Sequence, residues 1–290
     1  MTDVNEGAQR YVDQVFSGVD VQRGLSYAPG RSMDVFTPSG DTATGRPLLI
    51  LAAGGGFQSV DRTAIESTAR DFARRGYVTV SIDYSLLSGP PISADELAVA
   101  VITATHDMFA AIRFFRADAL SGNTYDLNPD TIFVGGESAG AVMAAIVATL
   151  DPSDTISSSA VANYLSANGG AYGNIGSNTS TASSVSGALA LSGAVLDLST
   201  VDASSSILYA AHEEFDPIVP CQTAPEGSSF TGLVVSGGCV LVPAYNAAGA
   251  TAELFLVAGS AGHVDYSDAQ LASIYQGAAT LFFNQVISVP

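Results

Sequence analysis

Apolar positions along this chain fall into short continuous runs separated by stretches of helical spacing. Residues 48–53 (Leu-Leu-Ile-Leu-Ala-Ala) form an unbroken apolar run, the pattern of a strand covered on both faces. After it the spacing predicts a helix over 63–75, a strand over 77–82, a helix over 96–116 and a strand over 132–134. A helix over 138–150 follows, then strands over 188–191, 207–211 and 252–257 and a closing helix over 268–286. Such alternation is the signature of right-handed βαβ units in a doubly wound, mostly parallel sheet with helices on both faces. Ahead of it, 19–27 and 32–37 read as an antiparallel edge, split by the turn signal Ala28-Pro29-Gly30. The first ~20 residues, with Tyr11, Val12, Val15 and Phe16 near a 3.6-residue period, predict an amphipathic helix.

Two stretches interrupt the rhythm. Residues 85–94 contain Gly89-Pro90-Pro91, and 166–186 are rich in Gly, Ser, Asn and Thr. Both are expected at the rim of a pocket, as small loop lids rather than a cap domain. With 290 residues and 47% hydrophobic content, the chain is expected to form one domain over 1–290.

The motif Gly136-Glu137-Ser138-Ala139-Gly140 fits Gly-x-Ser-x-Gly in the context it requires, an apolar strand before it and an alanine-rich helix after it. A serine on that sharp turn exposes its hydroxyl, but needs a base to take its proton. Of the three histidines, His106 lies mid-helix and His212 at a strand end; both read as packing residues. His263, in the flexible loop Ala258-Gly259-Ser260-Ala261-Gly262-His263, follows the last expected strand and is the candidate base. Asp216, braced by Pro217 and Pro220, is the candidate orienting acid, with Glu213 and Glu214 on the same loop read as solvent-facing. The Gly54-Gly55-Gly56-Phe57 loop is expected to supply oxyanion donors from Gly55, Gly56 and Phe57, completed by the amide of Ala139. Phe57 and Tyr84 are candidate substrate-binding residues.

Charge narrows the partners. Every arginine lies at or before Arg116, lysine is absent, and residues 117–290 carry fifteen acids. That field disfavours nucleic acid. No apolar run approaches the ~20 residues of a membrane span, and Met1-Thr2-Asp3 does not open a signal peptide. Cys221 and Cys239 sit in no metal-ligand pattern and read as a local disulfide, two inert thiols being the alternative. No metal and no cofactor are implied.

The chain resembles the secreted bacterial carboxylesterases of the α/β-hydrolase superfamily. The resemblance rests on Met33-Asp34-Val35-Phe36-Thr37-Pro38, Arg46-Pro47-Leu48, Gly54 to Phe57, Arg75-Gly76-Tyr77-Val78, Ala111-Ile112-Arg113-Phe114-Phe115-Arg116, Gly136 to Gly140 and Asp216-Pro217-Ile218-Val219-Pro220. It implies an α/β-hydrolase fold, an ester substrate, a Ser138–Asp216–His263 triad and an extracellular or periplasmic setting. Two positions depart from the family pattern: Ala53 stands where a histidine usually precedes the glycines, and Ser85 where an arginine usually follows the tyrosine. A peptidase or amidase on the same scaffold, and a non-catalytic binding module, are the competing readings.

Overall fold

The computed structural model describes residues 7–225, 227 and 232–288. Eight strands form one sheet in the order β1 (Val19–Ala28), β2 (Arg31–Pro38), β4 (Val78–Ile82), β3 (Arg46–Ala52), β5 (Leu127–Glu137), β6 (Gly187–Leu191), β8 (Ile207–Glu213) and β11 (Ala252–Val257). From β4 to β11 neighbours run parallel; β2 is antiparallel to both β1 and β4. The doubly wound sheet with its antiparallel edge is therefore as the sequence pattern predicts.

Two-residue alternation divides the core. Leu48, Ile50, Val78, Val80, Ile132, Val134, Leu208 and Ala210 face α2 (Ala94–Ala119), α3 (Ala139–Thr149), α4 (Ser159–Ala167) and α5 (Gly238–Ala248). Leu49, Leu51, Phe133, Leu189, Tyr209 and Ala211 face α1 (Glu66–Arg74) and α6 (Asp268–Phe282). Among the described residues α2 is the one helix with the length and hydropathy of a membrane span, but most of it is buried in the core. A second sheet, β7 (Ala194–Val195), β10 (Val234–Gly237) and β9 (Thr223–Pro225), lies beyond the C-terminal ends of the central strands. Neither this sheet nor α4 was foreseen.

The N-terminal helix is not formed. Residues 1–6 lie outside the described residues, and 7–18 run as an irregular strap, with Tyr11 at φ 70°. Its amides serve a different helix. Tyr11 donates to the Arg75 carbonyl (2.8 Å), and Val15 and Phe16 donate to that of Arg74 (2.8 and 2.9 Å). The C-terminus of α1 leaves carbonyls without intrahelical donors, and a helical strap would have spent its own amides on itself. Its apolar spacing arises because Val12 and Val15 are buried. Helix α1 itself begins at Glu66 rather than 63, because Asp61 accepts the Thr63 amide (2.9 Å) and hydroxyl (2.6 Å) in a local turn.

Candidate active site

Strand β5 delivers Ser138 to the start of α3 with φ 51° and ψ −119°, a conformation that residues other than glycine rarely adopt. Its glycine neighbours make the turn possible. A Cβ on Gly136 would lie 2.5 Å from the Ala52 carbonyl oxygen, and one on Gly140 would lie 1.9 Å from the same atom. The end of β3 thus presses directly against the elbow, and the Ser138 amide is anchored to the Leu191 carbonyl (2.9 Å).

The loop between β11 and α6 carries His263 to this serine. The Ser138 hydroxyl donates to His263 Nε2 across 2.7 Å, and His263 Nδ1–H donates to Asp216 Oδ2, also at 2.7 Å. The other oxygen of Asp216 accepts the amides of Ile218 (2.8 Å) and Val219 (3.0 Å), which fixes the carboxylate. Its side chain is fully buried, whereas the imidazole keeps 19% exposure, so substrate reaches the base but not the acid.

The two glutamates beside Asp216 part company. Glu213 is not solvent-facing: it is completely buried. It accepts the Ser192 hydroxyl and the Asp265 amide, each at 2.7 Å. Ser192 in turn meets the Tyr266 hydroxyl (2.8 Å) and the Val264 amide (3.3 Å). This network grips the backbone just after His263, where Val264 has φ 54°. Strand parity was the available signal, since Tyr209, Ala211 and Glu213 share a face. Glu214 is partly exposed and accepts the Gly259 amide (2.7 Å).

His212 and His106 are both buried, away from the nucleophile. His212 accepts the Gly238 amide at Nδ1 (3.2 Å) and donates from Nε2 to the Val219 carbonyl (2.8 Å). Burial lowers its pKa and keeps it neutral. It thereby ties the Asp216 turn to α5. His106 stacks near Tyr164, with ring centroids 5.5 Å apart.

The glycine loop is shaped to offer amides. Gly55, Gly56 and Phe57 all have positive φ, and the Gly55 carbonyl turns back to accept the amides of Gln58 (3.0 Å) and Ser59 (3.1 Å). A Cβ on Gly55 would lie 2.0 Å from the Ser59 carbonyl oxygen. Among the described residues, the amides of Gly55, Gly56, Phe57 and Ala139 have no hydrogen-bond partner within the protein. Ala53, in place of the usual histidine, is buried, and its carbonyl accepts the Tyr84 hydroxyl (2.9 Å). Tyr84 also meets Phe57 edge to face at 6.1 Å, and the Leu87 amide donates to the Phe57 carbonyl (2.8 Å). Tyr84 therefore braces the loop from behind and does not line the pocket. The arginine missing at position 85 is supplied from elsewhere: Arg31 bonds both Asp107 (2.9 Å) and the Ser85 hydroxyl.

Over Ser138 opens a cavity of about 280 Å³. Phe57, Leu97, Val101, Val142, Leu196, Ile218, Val219, Leu233 and Val235 supply its apolar wall, and Ser138 and His263 its polar floor. The described lining includes no residue of 85–94 or 166–186. The latter segment is instead tied to α2: Arg113 donates to the carbonyls of Tyr172 (2.7 Å) and Ile175 (3.0 Å), and Arg116 to that of Ser184 (2.6 Å). The second sheet takes the rim position, and the Cys221–Cys239 disulfide joins its base to α5. Glu137, beside the nucleophile, has a raised pKa because it is largely buried, an effect opposed by the Gly54 amide and His263.

The BD-FAE family model matches residues 33–171, which include the glycine loop and Ser138. No curated protein matches the sequence at a significant level. Among solved structures, a truncated carbohydrate esterase from gut microbiota is similar at a TM-score of 0.67, with 17% identity over 94% of this chain and 97% of that one. Butyrate-bound esterase Est2 of the Planctomycetes species Thermogutta terrifontis aligns at a TM-score of 0.66, with 17% identity over 93% and 95% of the two chains. The same organism's esterase 2 phosphorylated by paraoxon aligns at 0.63, with 17% identity over 93% and 95%. At such identities the likeness establishes the fold, that of the α/β-hydrolases.

Proposed function

We infer that this chain, an α/β-hydrolase by its fold, hydrolyses carboxylic esters through an acyl-enzyme on Ser138. The observation that carries the reading is the unbroken hydrogen-bonded line from Asp216 through His263 to Ser138, in a cavity also lined by four residues with unpartnered amides, Gly55, Gly56, Phe57 and Ala139. In this reading Ser138 Oγ attacks the ester carbonyl while His263 Nε2 takes its proton. Asp216 stabilises the imidazolium, and the amides of the Gly55-Gly56-Phe57 loop and of Ala139 receive the developing oxyanion. The imidazolium then protonates the leaving alkoxide, and a water activated by the same nitrogen releases the acid. Small-molecule and polymeric esters both suit this chemistry.

Hydrolysis of p-nitrophenyl esters beside methyl ferulate and a peptide anilide tests the reading. Esters should be cleaved and the anilide left, and Ser138→Ala should lower kcat by about 10⁴-fold or more in a folded protein. Near-wild-type turnover by that variant refutes the assignment.

An extracellular or periplasmic location is part of the same proposal, supported by the Cys221–Cys239 disulfide, since such bonds persist in oxidising compartments. In the chain-entropy model, closing this loop stabilises the fold by roughly 3 kcal/mol. Protein isolated from its native compartment should resist alkylation until reduced. Labelling of both cysteines without reduction contradicts the location.

A further inference from the structure

A second cavity, of about 130 Å³, adjoins the one over Ser138. Leu196 and Leu233 belong to the walls of both. On α2, Leu97 and Val101 face the first chamber, and the adjacent stripe of Ala94, Ala98 and Ile102 faces the second. On α3, Ala139 and Val142 line the first, and Ile146, with Leu150 just past the helix end, the second. The second chamber therefore lies farther along α3 from the nucleophile. From Ser138 to Ile146 the helix advances about 12 Å.

The polar groups around this chamber are already engaged. Ser158 caps α4 by accepting the Val161 amide (3.3 Å), and Asp197 accepts the Ser157 hydroxyl (2.6 Å). Thr200 donates to the Asp197 carbonyl (2.9 Å). What remains is a hydrocarbon surface with Asp95 exposed at its outer edge. Such a wall offers an occupant burial and nothing to hydrogen-bond.

We propose that the two chambers form one acyl channel, and that the enzyme prefers esters of medium-length unbranched fatty acids, the acyl chain passing Leu196 and Leu233 into the second chamber. This rests on the ester-hydrolase reading above. The direction is assigned from the order of steps: the alcohol departs before water attacks, whereas the acyl group stays bonded to Ser138, at the N-terminus of α3, until it is hydrolysed, so the chamber farther along α3 suits the acyl chain. A butyryl group ends in the first chamber. A decanoyl chain has a span comparable to the 12 Å of helix and reaches the second.

The test is kcat/KM across p-nitrophenyl esters from butyrate to decanoate, below their solubility limits. Each methylene that becomes buried should raise kcat/KM about fourfold, so decanoate should exceed butyrate by well over tenfold. Ile156→Trp and Ala98→Phe fill the second chamber from two different elements and should each cut the decanoate-to-butyrate ratio at least tenfold. Ile156 lies in the loop before α4, so its variant keeps the test alive should Ala98→Phe fail to fold. A wild-type optimum at butyrate, with clear hydrolysis, overturns the channel while leaving the esterase reading standing. So does a ratio unmoved by both fillings, or a gain that follows the alcohol chain in alkyl acetates. A protein that cleaves none of these esters overturns both.

Discussion

Up to Arg116 the chain sets ten arginines against thirteen acids; beyond it fifteen acids face no arginine or lysine. In the first region many carboxylates are held by guanidinium groups. Asp34 accepts Arg23 and Arg62, each at 3.0 Å, Asp107 accepts Arg31 (2.9 Å), and Asp71 accepts Arg75 (2.6 Å). In the second, apart from Asp126 beside Arg46 (3.8 Å), those with partners among the described residues are held mainly by amides and hydroxyls, often two residues on. Asp151 with Ser153, Asp197 with Ser199 and Asp202 with Ser204 repeat one local turn, each with a hydroxyl at 2.6 Å. A guanidinium neutralises a carboxylate, whereas an amide or hydroxyl only solvates it. The candidate catalytic acid belongs to the second kind. Asp216 is held by two amides, and the charge able to pair with it most closely is the imidazolium that forms on His263 during the reaction.

The sharpest way to break this contrast is to neutralise the two buried acids of the His263 region in turn. Asp216→Asn keeps the shape but presents an amide where Nδ1–H needs an acceptor, and should lower kcat about 10³- to 10⁴-fold. Glu213→Gln alters a group that holds the backbone of Asp265 and exchanges nothing with the imidazole. Its cost should be that of a weakened hydrogen bond, about tenfold in kcat or less. A Glu213→Gln loss as large as that of Asp216→Asn would show that the assignment of the acid is wrong.

The two regions meet along α2, and a titration there gives a smaller effect. His106 is buried on α2 with the backbone of Gly173 against its ring, since a Cβ at 173 would lie 2.5 Å from it. Burial, helped by the charge of Arg113, lowers its pKa to about 4. The folded value lies below the ordinary 6.5, so the unfolded chain takes up the proton first. The stabilising contribution is therefore complete above pH 6.5 and is lost as pH falls toward 4, by about 2 kcal/mol between pH 6.5 and 5. His106→Phe retains a ring against Tyr164 and should flatten that acid limb in urea melts. Asp107, Glu137 and Asp154, whose pKa values burial raises, titrate with the opposite sign but are common to both proteins, so the difference isolates His106. Parallel wild-type and variant profiles would refute the account.

Legibility in the sequence followed the range of the interactions. The nucleophile elbow was readable because strand, glycines, serine and helix are contiguous, and the sheet because parallel strands covered on both faces are apolar throughout. The strap at 7–18 was misread because its amide partners lie on Arg74 and Arg75, some sixty residues away. The segment 166–186 has a loop's composition, but its position is set by Arg113 and Arg116, whose guanidinium groups hold its carbonyls. Tyr84 was expected to bind substrate but packs behind the glycine loop, because composition does not say which side of that loop an aromatic ring braces. The burial of Glu213 was lost by treating the end of β8 as the start of a loop.

Salt should give the smallest effect and weigh the two regions against each other. Added NaCl screens the ion pairs of the first region and the self-repulsion of the second. Several of those pairs are partly exposed: the side chain of Arg23 is 47% and that of Arg62 28% accessible, and exposed pairs contribute little to stability. Losing part of that is a modest cost. Of the net charge of −18, the residues after Arg116 contribute −15, and screening so one-sided an excess favours the compact chain. Repulsion should therefore win. A gain of about 1 kcal/mol would raise Tm by about 2–4 °C between dilute buffer and molar NaCl. A Tm that falls across the titration would show that the guanidinium-held region governs stability, and that the uncompensated acids are too well solvated by their amides and hydroxyls to repel one another.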